Sequence, residues 1–340
     1  MKKTILHRIR NIFAPRALVL LYHRVAAPVS DVWNCAVTPE NFEQHLQLLK
    51  KNWQVVPLQT LVASLKRKTI PNKTIAITFD DGYADNYQVA KPLLEKYDLP
   101  ATFFISSGHI GQPTEFWWDE LEHLLLHTDM RTGRISLPID GRPYEVDLGN
   151  ETRLNNELRA LHSTWKAESS QPVSVRSKLY LQLYFLLKPL NYSQQKHIIQ
   201  QIRQAADTEM KERAAYRTIT LAELQEMTTT GILDIGLHTA NHLALASHPA
   251  HAQHKNIHDN QLYLAQALAK KVNMLAYPYG NYNSDTLAVV SELGLEAAFT
   301  TEAKPVRNNS HTYKLGRFLV QNWDSNVLNK KLMYWYNLEK

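Results

Sequence analysis

Residues 74–82 read Thr-Ile-Ala-Ile-Thr-Phe-Asp-Asp-Gly, a β-rich apolar run that ends in two adjacent aspartates and a glycine. Burying both carboxylates, Asp80 and Asp81, inside a core would carry a heavy desolvation cost. The stretch therefore predicts a buried strand that delivers two carboxylates at its end.

Similar apolar runs recur on both sides of this strand, and helical patterns lie between them. Thr38 and Pro39 form a cap with a first-turn proline, and Thr220 with Glu223 forms a capping box. The alternation of strands and helices predicts an α/β fold with a parallel sheet, and the number of units indicates closure into a barrel. The other runs are residues 17–22, 101–105, 232–237, 274–277, 297–300 and 318–320.

The middle of the chain has a different pattern. Asp140-Gly141 separates two β-like runs, which predicts a hairpin, and leucine-rich helical periodicity follows. We predict a mostly helical insertion between two barrel strands. The predicted segments are an N-terminal helical segment 1–16, a discontinuous barrel 17–112 and 215–325, an insertion 113–214 and a C-terminal tail 326–340.

Composition restricts the class of protein. The 340 residues include 44% hydrophobic and 21% charged residues, which is typical of a globular protein, and a single cysteine excludes an internal disulfide framework. The net charge of +6 comes from basic residues scattered along the chain, without a nucleic-acid-binding signature. No nucleic-acid partner is therefore expected.

The N-terminus combines basic residues with apolar residues at helical spacing and lacks the features of a secretory signal. It predicts either a helix on an anionic membrane surface or a terminal helix packed against the domain. The expected location is the cytoplasm, with possible peripheral association at the inner membrane surface.

A second polar motif follows the apolar run 232–237. His238 and His242 are four residues apart, and on a helical turn both imidazoles would face one ion. In a parallel barrel this motif and the aspartate pair gather at one face. Two histidines and one carboxylate leave a coordination position for water, which indicates a catalytic metal centre.

These motifs resemble the first two signature motifs of the polysaccharide deacetylases, carbohydrate esterase family four. Ala276-Tyr277-Pro278-Tyr279-Gly280 resembles the third motif. Further stretches resemble one branch of the family, namely Leu21-Tyr22-His23-Arg24-Val25, Ala101-Thr102-Phe103-Phe104 and Phe116-Trp117-Trp118-Asp119. The resemblance implies a distorted (β/α) barrel of the polysaccharide-deacetylase type with a helical insertion.

Carried over position by position, the resemblance implies that Asp81, His238 and His242 hold a divalent metal, with zinc expected. Asp80 would be the general base. The backbone N–H of Tyr279 would stabilise the oxyanion.

Two departures from the family pattern concern the acid and the arginine that positions the base. No late Leu-x-His motif is present, so the general acid is assigned to His23, with a purely loop-bonding histidine as the alternative. No arginine precedes the third motif. Arg317 is the candidate replacement that would orient Asp80 through a bidentate contact, and an ordinary surface arginine is the alternative.

The expected function is metal-dependent removal of N-acetyl groups from an acetamido sugar in an oligosaccharide, a surface glycan or a lipid-linked precursor. A deformylase or other amide hydrolase on the same scaffold, and an inactive glycan-binding homologue, are the alternatives. Retention of Asp80, Asp81, His238 and His242 argues against an inactive protein.

Overall fold

The structure, a computed structural model, describes residues 15–139, 141–168, 170–206 and 213–338. Residues 1–14 of the predicted N-terminal helical segment 1–16 lie outside the described residues. Its last residue, Arg16, belongs to the first strand instead.

The strands agree with the apolar runs of the sequence to within a residue or two. In chain order they are β1 Arg16–Tyr22, β2 Arg24–Val25, β3 Ala36–Val37, β4 Gln54–Val55, β5 Thr74–Phe79, β6 Ala101–Ile105, β7 Arg134–Ile139, β8 Arg142–Asp147, β9 Leu233–Leu237, β10 Met274–Ala276, β11 Ala297–Phe299, β12 Val306–Arg307 and β13 Phe318–Leu319.

The helices lie between and after these strands. They are α1 Pro39–Asn52, α2 Leu58–Lys66, α3 Lys91–Tyr97, α4 Trp117–Glu122, α5 Asn156–Thr164, α6 Val175–Leu187, α7 Tyr192–Ala205, α8 Leu221–Met227, α9 Ala250–Leu268, α10 Ser284–Glu292 and α11 Ser325–Tyr336. Two predicted caps are present: the Thr38 side chain accepts from the N–H of Asn41, and Thr220 and Glu223 form a reciprocal capping box.

The main sheet is largely parallel, with the order β11-β10-β9-β6-β5-β1-β12, and β13 and β4 pair with β1 and β5. Among the described strands of this sheet, only β12 runs antiparallel to its neighbour. The ladder stays open as a curled half-barrel, and a single parallel bridge from Phe299 to Leu315 lies at its end. The predicted α/β fold with a distorted parallel barrel is confirmed.

The chain divides into two compact units. The first holds the main sheet and comprises the residues up to Ala27, Ala36–Ile110 and the residues from Ile219 onward. The second comprises Pro28–Cys35 and Gly111–Thr218, so it takes a short segment that the sequence pattern assigns to the barrel. It contains the predicted hairpin, β7 with β8, and helices α4 to α7.

The predicted C-terminal tail is wrong, because residues 325–336 form helix α11. Leu328, Leu332 and Trp335 of this helix are buried in the core of the first unit. The buried Arg16 side chain donates to the carbonyls of Tyr336 and Leu338, which supplies hydrogen bonds to the helix end. The regularly spaced apolar residues of α11 therefore form the face that packs against the core of the first unit.

No helix in the described part of the chain has both the length and the apolar character needed to cross a membrane.

Candidate active site

The predicted site residues follow parallel strands of the first unit. Asp80 and Asp81 follow β5, His238 follows β9, His23 follows β1, and Tyr279 lies in a short turn after β10. Because the carboxyl ends of parallel strands meet at one edge, side chains distant in the sequence converge there. The structure places these residues at the same edge of the sheet.

Asp81, His238 and His242 form a buried group whose potential ligand atoms all lie within 4.8 Å of one another. Asp81 Oδ1 is 3.4 Å from His238 Nε2 and 3.2 Å from His242 Nε2. Ligands at ~2.0–2.1 Å around a tetrahedral zinc are roughly 3.3–3.4 Å apart. The two distances from Asp81 Oδ1 therefore fit ligand atoms that share a metal ion.

The tautomer of His238 supports this fit. Its Nδ1 lies 2.9 Å from the carbonyl oxygen of Ala276, which can only accept, so Nδ1 carries a proton. In the neutral ring Nε2 is then an acceptor that faces the Asp81 carboxylate. Two acceptors facing each other in a buried site are stabilised by a cation between them, and this backbone contact is typical of metal-binding histidines. The residues present thus form a possible Asp/His/His metal site.

The two histidines do not lie on a helical turn, so the geometric premise of the sequence prediction is wrong. Residues 238–244 are a loop, in which Thr239 and His242 have φ of 61° and 51°. The hydroxyl of Thr239 accepts from the N–H of Leu243 at 2.9 Å and holds this reversal. The imidazoles converge because the loop folds back, with ring centroids 4.8 Å apart.

Asn260 of α9 supports the first histidine, and no sequence signal pointed to it. Its Oδ1 accepts from the backbone N–H of His238 at 2.9 Å, and its Nδ2 donates to the carbonyl of Ile105 at 3.0 Å. Asn260 is fully buried, so both ends of the amide are paired without solvent. This fixes the loop origin relative to β6.

Arg317 makes a bidentate contact with Asp80. Nη1 donates to Oδ1 and Nη2 to Oδ2, each at 2.6 Å, while Nε donates to the carbonyl of Thr300 at 3.1 Å. The arginine is 0% exposed, so the alternative of a surface arginine is wrong. Charge-assisted fork contacts of this kind fix the carboxylate plane.

The two aspartates both favour the ionised form, and Asp80 Oδ2 and Asp81 Oδ1 lie 3.9 Å and 3.4 Å from His238 Nε2. Burial raises the pKa of Asp80, but the charge of Arg317, then His238, and the Arg317 hydrogen bonds outweigh it and hold that pKa below its usual range. Burial likewise opposes ionisation of Asp81, but its close contacts with the imidazoles of His238 and His242 hold its pKa well below the usual range. The left-handed φ of 75° at Asp81 turns the chain between the two side chains.

His23 lies at the end of β1, and its charge lowers the pKa of both Asp80 and Asp81. Its Nδ1 is buried and has no hydrogen-bond partner among the residues that the structure describes. The alternative, in which His23 only hydrogen-bonds a loop, is therefore not supported by any contact of Nδ1.

A buried network that the sequence did not reveal holds the His23 backbone. Asp85 accepts from Arg24 Nε and from the N–H of Val25, each at 3.0 Å. Asn86 Nδ2 donates to the carbonyl of His23 at 2.8 Å and to Asp85 at 3.0 Å. Asp85 and Asn86 follow the aspartate motif closely, so they tie the His23 backbone to the segment that carries Asp80.

Tyr279 occupies a tight turn beside His242. Its φ of 59° is left-handed, and its ring centroid lies 4.5 Å from that of His242. The next residue, Gly280, also has a positive φ of 65°, and a Cβ there would lie 2.2 Å from Thr301 Oγ1. The turn therefore needs glycine at 280, because only a residue without a Cβ fits against Thr301 at this positive φ.

A family model described as polysaccharide deacetylase matches residues 67–127 and 183–298, more than half of the chain. The chain belongs to the polysaccharide deacetylase family. The family resemblance and the expected enzyme class, a polysaccharide deacetylase, are thereby confirmed, and the matched residues include both predicted metal-ligand motifs and the third motif.

Known relatives of this deacetylase cover most of its length. It is 23% identical over 317 residues, 89% of this chain and 78% of the relative, to poly-β-1,6-N-acetyl-D-glucosamine N-deacetylase of Staphylococcus aureus strain N315. Deacetylase PplD of Streptococcus pyogenes has a similar fold, with a TM-score of 0.58 and 18% identity over 94% of this chain and 99% of that one. IcaB of Ammonifex degensii also has a TM-score of 0.58 and 18% identity, over 95% of this chain and 98% of that one.

Proposed function

We propose that this deacetylase hydrolyses the N-acetyl group of acetamido sugar residues in a polysaccharide, and that it depends on a divalent metal, zinc in particular. The observation that carries the proposal is the convergence of Asp81, His238 and His242, with Asp80 held beside them by Arg317. The name of the Staphylococcus aureus relative supports a polymer of N-acetylglucosamine as the substrate class.

A bound divalent ion would lower the pKa of a bound water to ~7 and polarise the amide carbonyl. Asp81 Oδ1 and the Nε2 atoms of His238 and His242 would hold it. Asp80, already ionised, accepts the proton of the attacking water at a carboxylate oxygen, and its contact with Arg317 keeps that oxygen in one orientation. A carboxylate with a low pKa can act as the general base here, because a bound metal ion would also lower the pKa of the water.

The remaining two roles belong to His23 and Tyr279. The His23 imidazole donates a proton to the leaving amine, since amine loss from a tetrahedral intermediate requires protonation. The Tyr279 N–H donates to the developing oxyanion, a contact of the kind whose loss typically costs about 3 kcal/mol.

The test is acetate release from a panel of acetamido sugars, with and without a chelator. The panel contains β-1,6-linked and β-1,4-linked N-acetylglucosamine oligomers, the free sugar, and nucleotide-linked and lipid-linked forms. We expect release from an oligomer, loss of release with chelator and recovery with zinc. Binding of the oligomers without acetate release would instead identify an inactive glycan-binding homologue, and release unaffected by chelator would remove the metal from the proposal.

The cytoplasmic location, the lipid-linked substrates and the peripheral membrane association stay predictions. Fractionation of cells that express the full chain, followed by a salt wash of the membranes, tests them.

A further inference from the structure

The second unit contains a cavity of about 340 Å³ that has no part in the chemistry described above. Its volume lies in the range of ~300–1,000 Å³ that small-molecule sites occupy. The lining includes Arg159, Arg213, His123 and His127, together with Ser30 and Tyr216. These side chains come from four separate stretches of the second unit, so the fold assembles the cavity.

Two polar atoms in the lining are buried and have no partner among the described residues. They are Ser30 Oγ and His127 Nε2. Ser30 as a whole is only 5% exposed. Buried polar atoms are nearly always hydrogen-bonded, so each such atom in a cavity wall calls for a partner. A ligand with oxygen atoms would supply one to both.

Both arginines are fixed in place and retain donors. Arg159 donates to the carbonyl of His127 at 2.8 Å and to Asp129 at 3.1 Å, and no hydrogen bond is made by its Nε within the described residues. Arg213 Nε donates to Glu115 at 2.9 Å, and its guanidinium carbon lies 3.7 Å from the centroid of the Tyr216 ring. Pre-oriented guanidinium groups lose little entropy when they bind an oxyanion.

The two histidines add donors without adding charge. Burial, then the charge of Arg213, lowers the pKa of His123, and burial with neighbouring positive charges lowers the pKa of His127 to about 4. Each neutral ring then offers one N–H near pH 7. Among the described residues that line this cavity, none is acidic. The wall is thus rich in donors, and the carboxylates of Asp129 and Glu115 that lie behind it are already paired with the two arginines.

We propose that this cavity binds a sugar-sized ligand that carries an oxyanion, either a phosphate ester or a carboxylate. Arg159 and Arg213 would contact the oxyanion, and the Ser30 hydroxyl would hydrogen-bond one of its oxygens. The proposal is independent of the deacetylase reaction.

The test is calorimetric titration of the full chain with inorganic phosphate, glucose 1-phosphate, glucuronate and glucose. We expect at least one anionic sugar to bind and glucose not to bind. Tighter binding of glucose 1-phosphate than of glucuronate, or the reverse, identifies which oxyanion is preferred, and inorganic phosphate shows how much the sugar contributes. Absence of binding by every anion, or equal binding of glucose, overturns the proposal.

Variants locate the binding site. Arg159→Gln removes a half-exposed arginine of the cavity, and we expect the affinity to fall at least tenfold. Ser30→Ala removes the unpartnered hydroxyl without changing charge, and its affinity should also fall. Arg142→Gln, an exposed arginine on β8 of the same unit, is the matched control and should bind as the wild type does. Equal affinities of Arg159→Gln and Arg142→Gln would show that the cavity is not the binding site. Because binding is the readout, this outcome is distinct from failure of the deacetylase assay.

Discussion

Arg317 and Asp80 are 237 residues apart in the chain, yet they form two parallel hydrogen bonds of 2.6 Å in a fully buried site. A lysine at 317 would keep a positive charge but could not span both carboxylate oxygens. We expect Arg317→Lys to lower kcat about 10–100-fold, by analogy with the loss of hydrogen-bond partners that orient metal ligands.

The measurement for Arg317→Lys is steady-state kinetics together with metal content. KM and metal content should stay close to the wild-type values, because the hydrogen bonds of Arg317 go to other residues than Asp81, His238 and His242. A kcat equal to that of the wild type would contradict a positioning role.

The division of labour between the adjacent aspartates predicts two different phenotypes. Asp80→Asn should leave metal content intact while kcat falls ~10²–10⁴-fold, because the base is lost. His238→Ala should lose both metal and activity, because a ligand is lost. Metal analysis after dialysis, with thermal unfolding to verify folding, distinguishes them. Equal metal loss in both variants contradicts the assignment.

The proposed acid role of His23 predicts dependence on the leaving group. His23→Gln should lower the rate on acetamido sugars ~10²–10⁴-fold, because the departing amine lacks a proton donor. An activated anilide, whose leaving group needs less protonation, should lose far less. A uniform loss on both substrates would mean that His23 only supports the loop.

Asp85→Asn is the companion variant for that experiment. It should weaken the contact with Arg24 and displace the His23 loop, so both substrates should be affected together. The contrast between His23→Gln and Asp85→Asn separates proton donation from positioning.

Gly280 and Gly294 form a matched pair for testing the turn that carries Tyr279. Both have φ of 65°, but a Cβ at 280 would lie 2.2 Å from Thr301 Oγ1 and 2.9 Å from the Thr301 nitrogen, whereas a Cβ at 294 would meet nothing within 4 Å. Gly294→Ala should cost only the backbone strain of about 1–2 kcal/mol. Gly280→Ala should destabilise the protein by more than that and also lower kcat, as measured by chemical unfolding and acetate release. Equal effects of the two variants on both quantities would contradict the close approach.

His45 predicts a pH dependence of stability outside the active site. It is fully buried in α1, with Nε2 2.7 Å from the carbonyl oxygen of Trp323, and burial lowers its pKa to about 4. The folded state therefore binds the proton more weakly than the unfolded state, whose histidine titrates near ~6.5. The stabilising contribution is complete above pH ~6.5 and is lost as the pH falls towards about 4, by about 3 kcal/mol.

The measurement is the free energy of unfolding between pH 4 and pH 7 for the wild type, His45→Gln and the control His251→Gln. His251 is exposed. The wild type and the control should lose more stability over this range than His45→Gln does. Parallel curves for all three proteins would contradict the assignment to His45.

The main strands and the meeting of Asp81, His238 and His242 in one possible metal site followed from the sequence. The run from Thr74 to Phe79 has the same bounds in the structure as in the sequence pattern, because a short continuous apolar run is typical of a strand that is buried on both faces. The convergence of Asp81 with His238 followed from their positions after two parallel strands, since the carboxyl ends of such strands share one edge.

Only the tertiary structure decided the contacts between distant segments and the backbone of the loops. The loop from His238 to His242 is not helical, and residues 325–336 form a packed helix and not a tail. The sequence left open whether Arg317 orients Asp80 or lies on the surface, and the structure shows the contact with Asp80. Each depends on which surfaces meet when the whole chain packs, and a pairing over 237 residues leaves no periodic trace in either segment. Sequence patterns fix local conformation and burial, whereas the free energy of burying a charge or reversing a loop is set by partners that folding alone brings into contact.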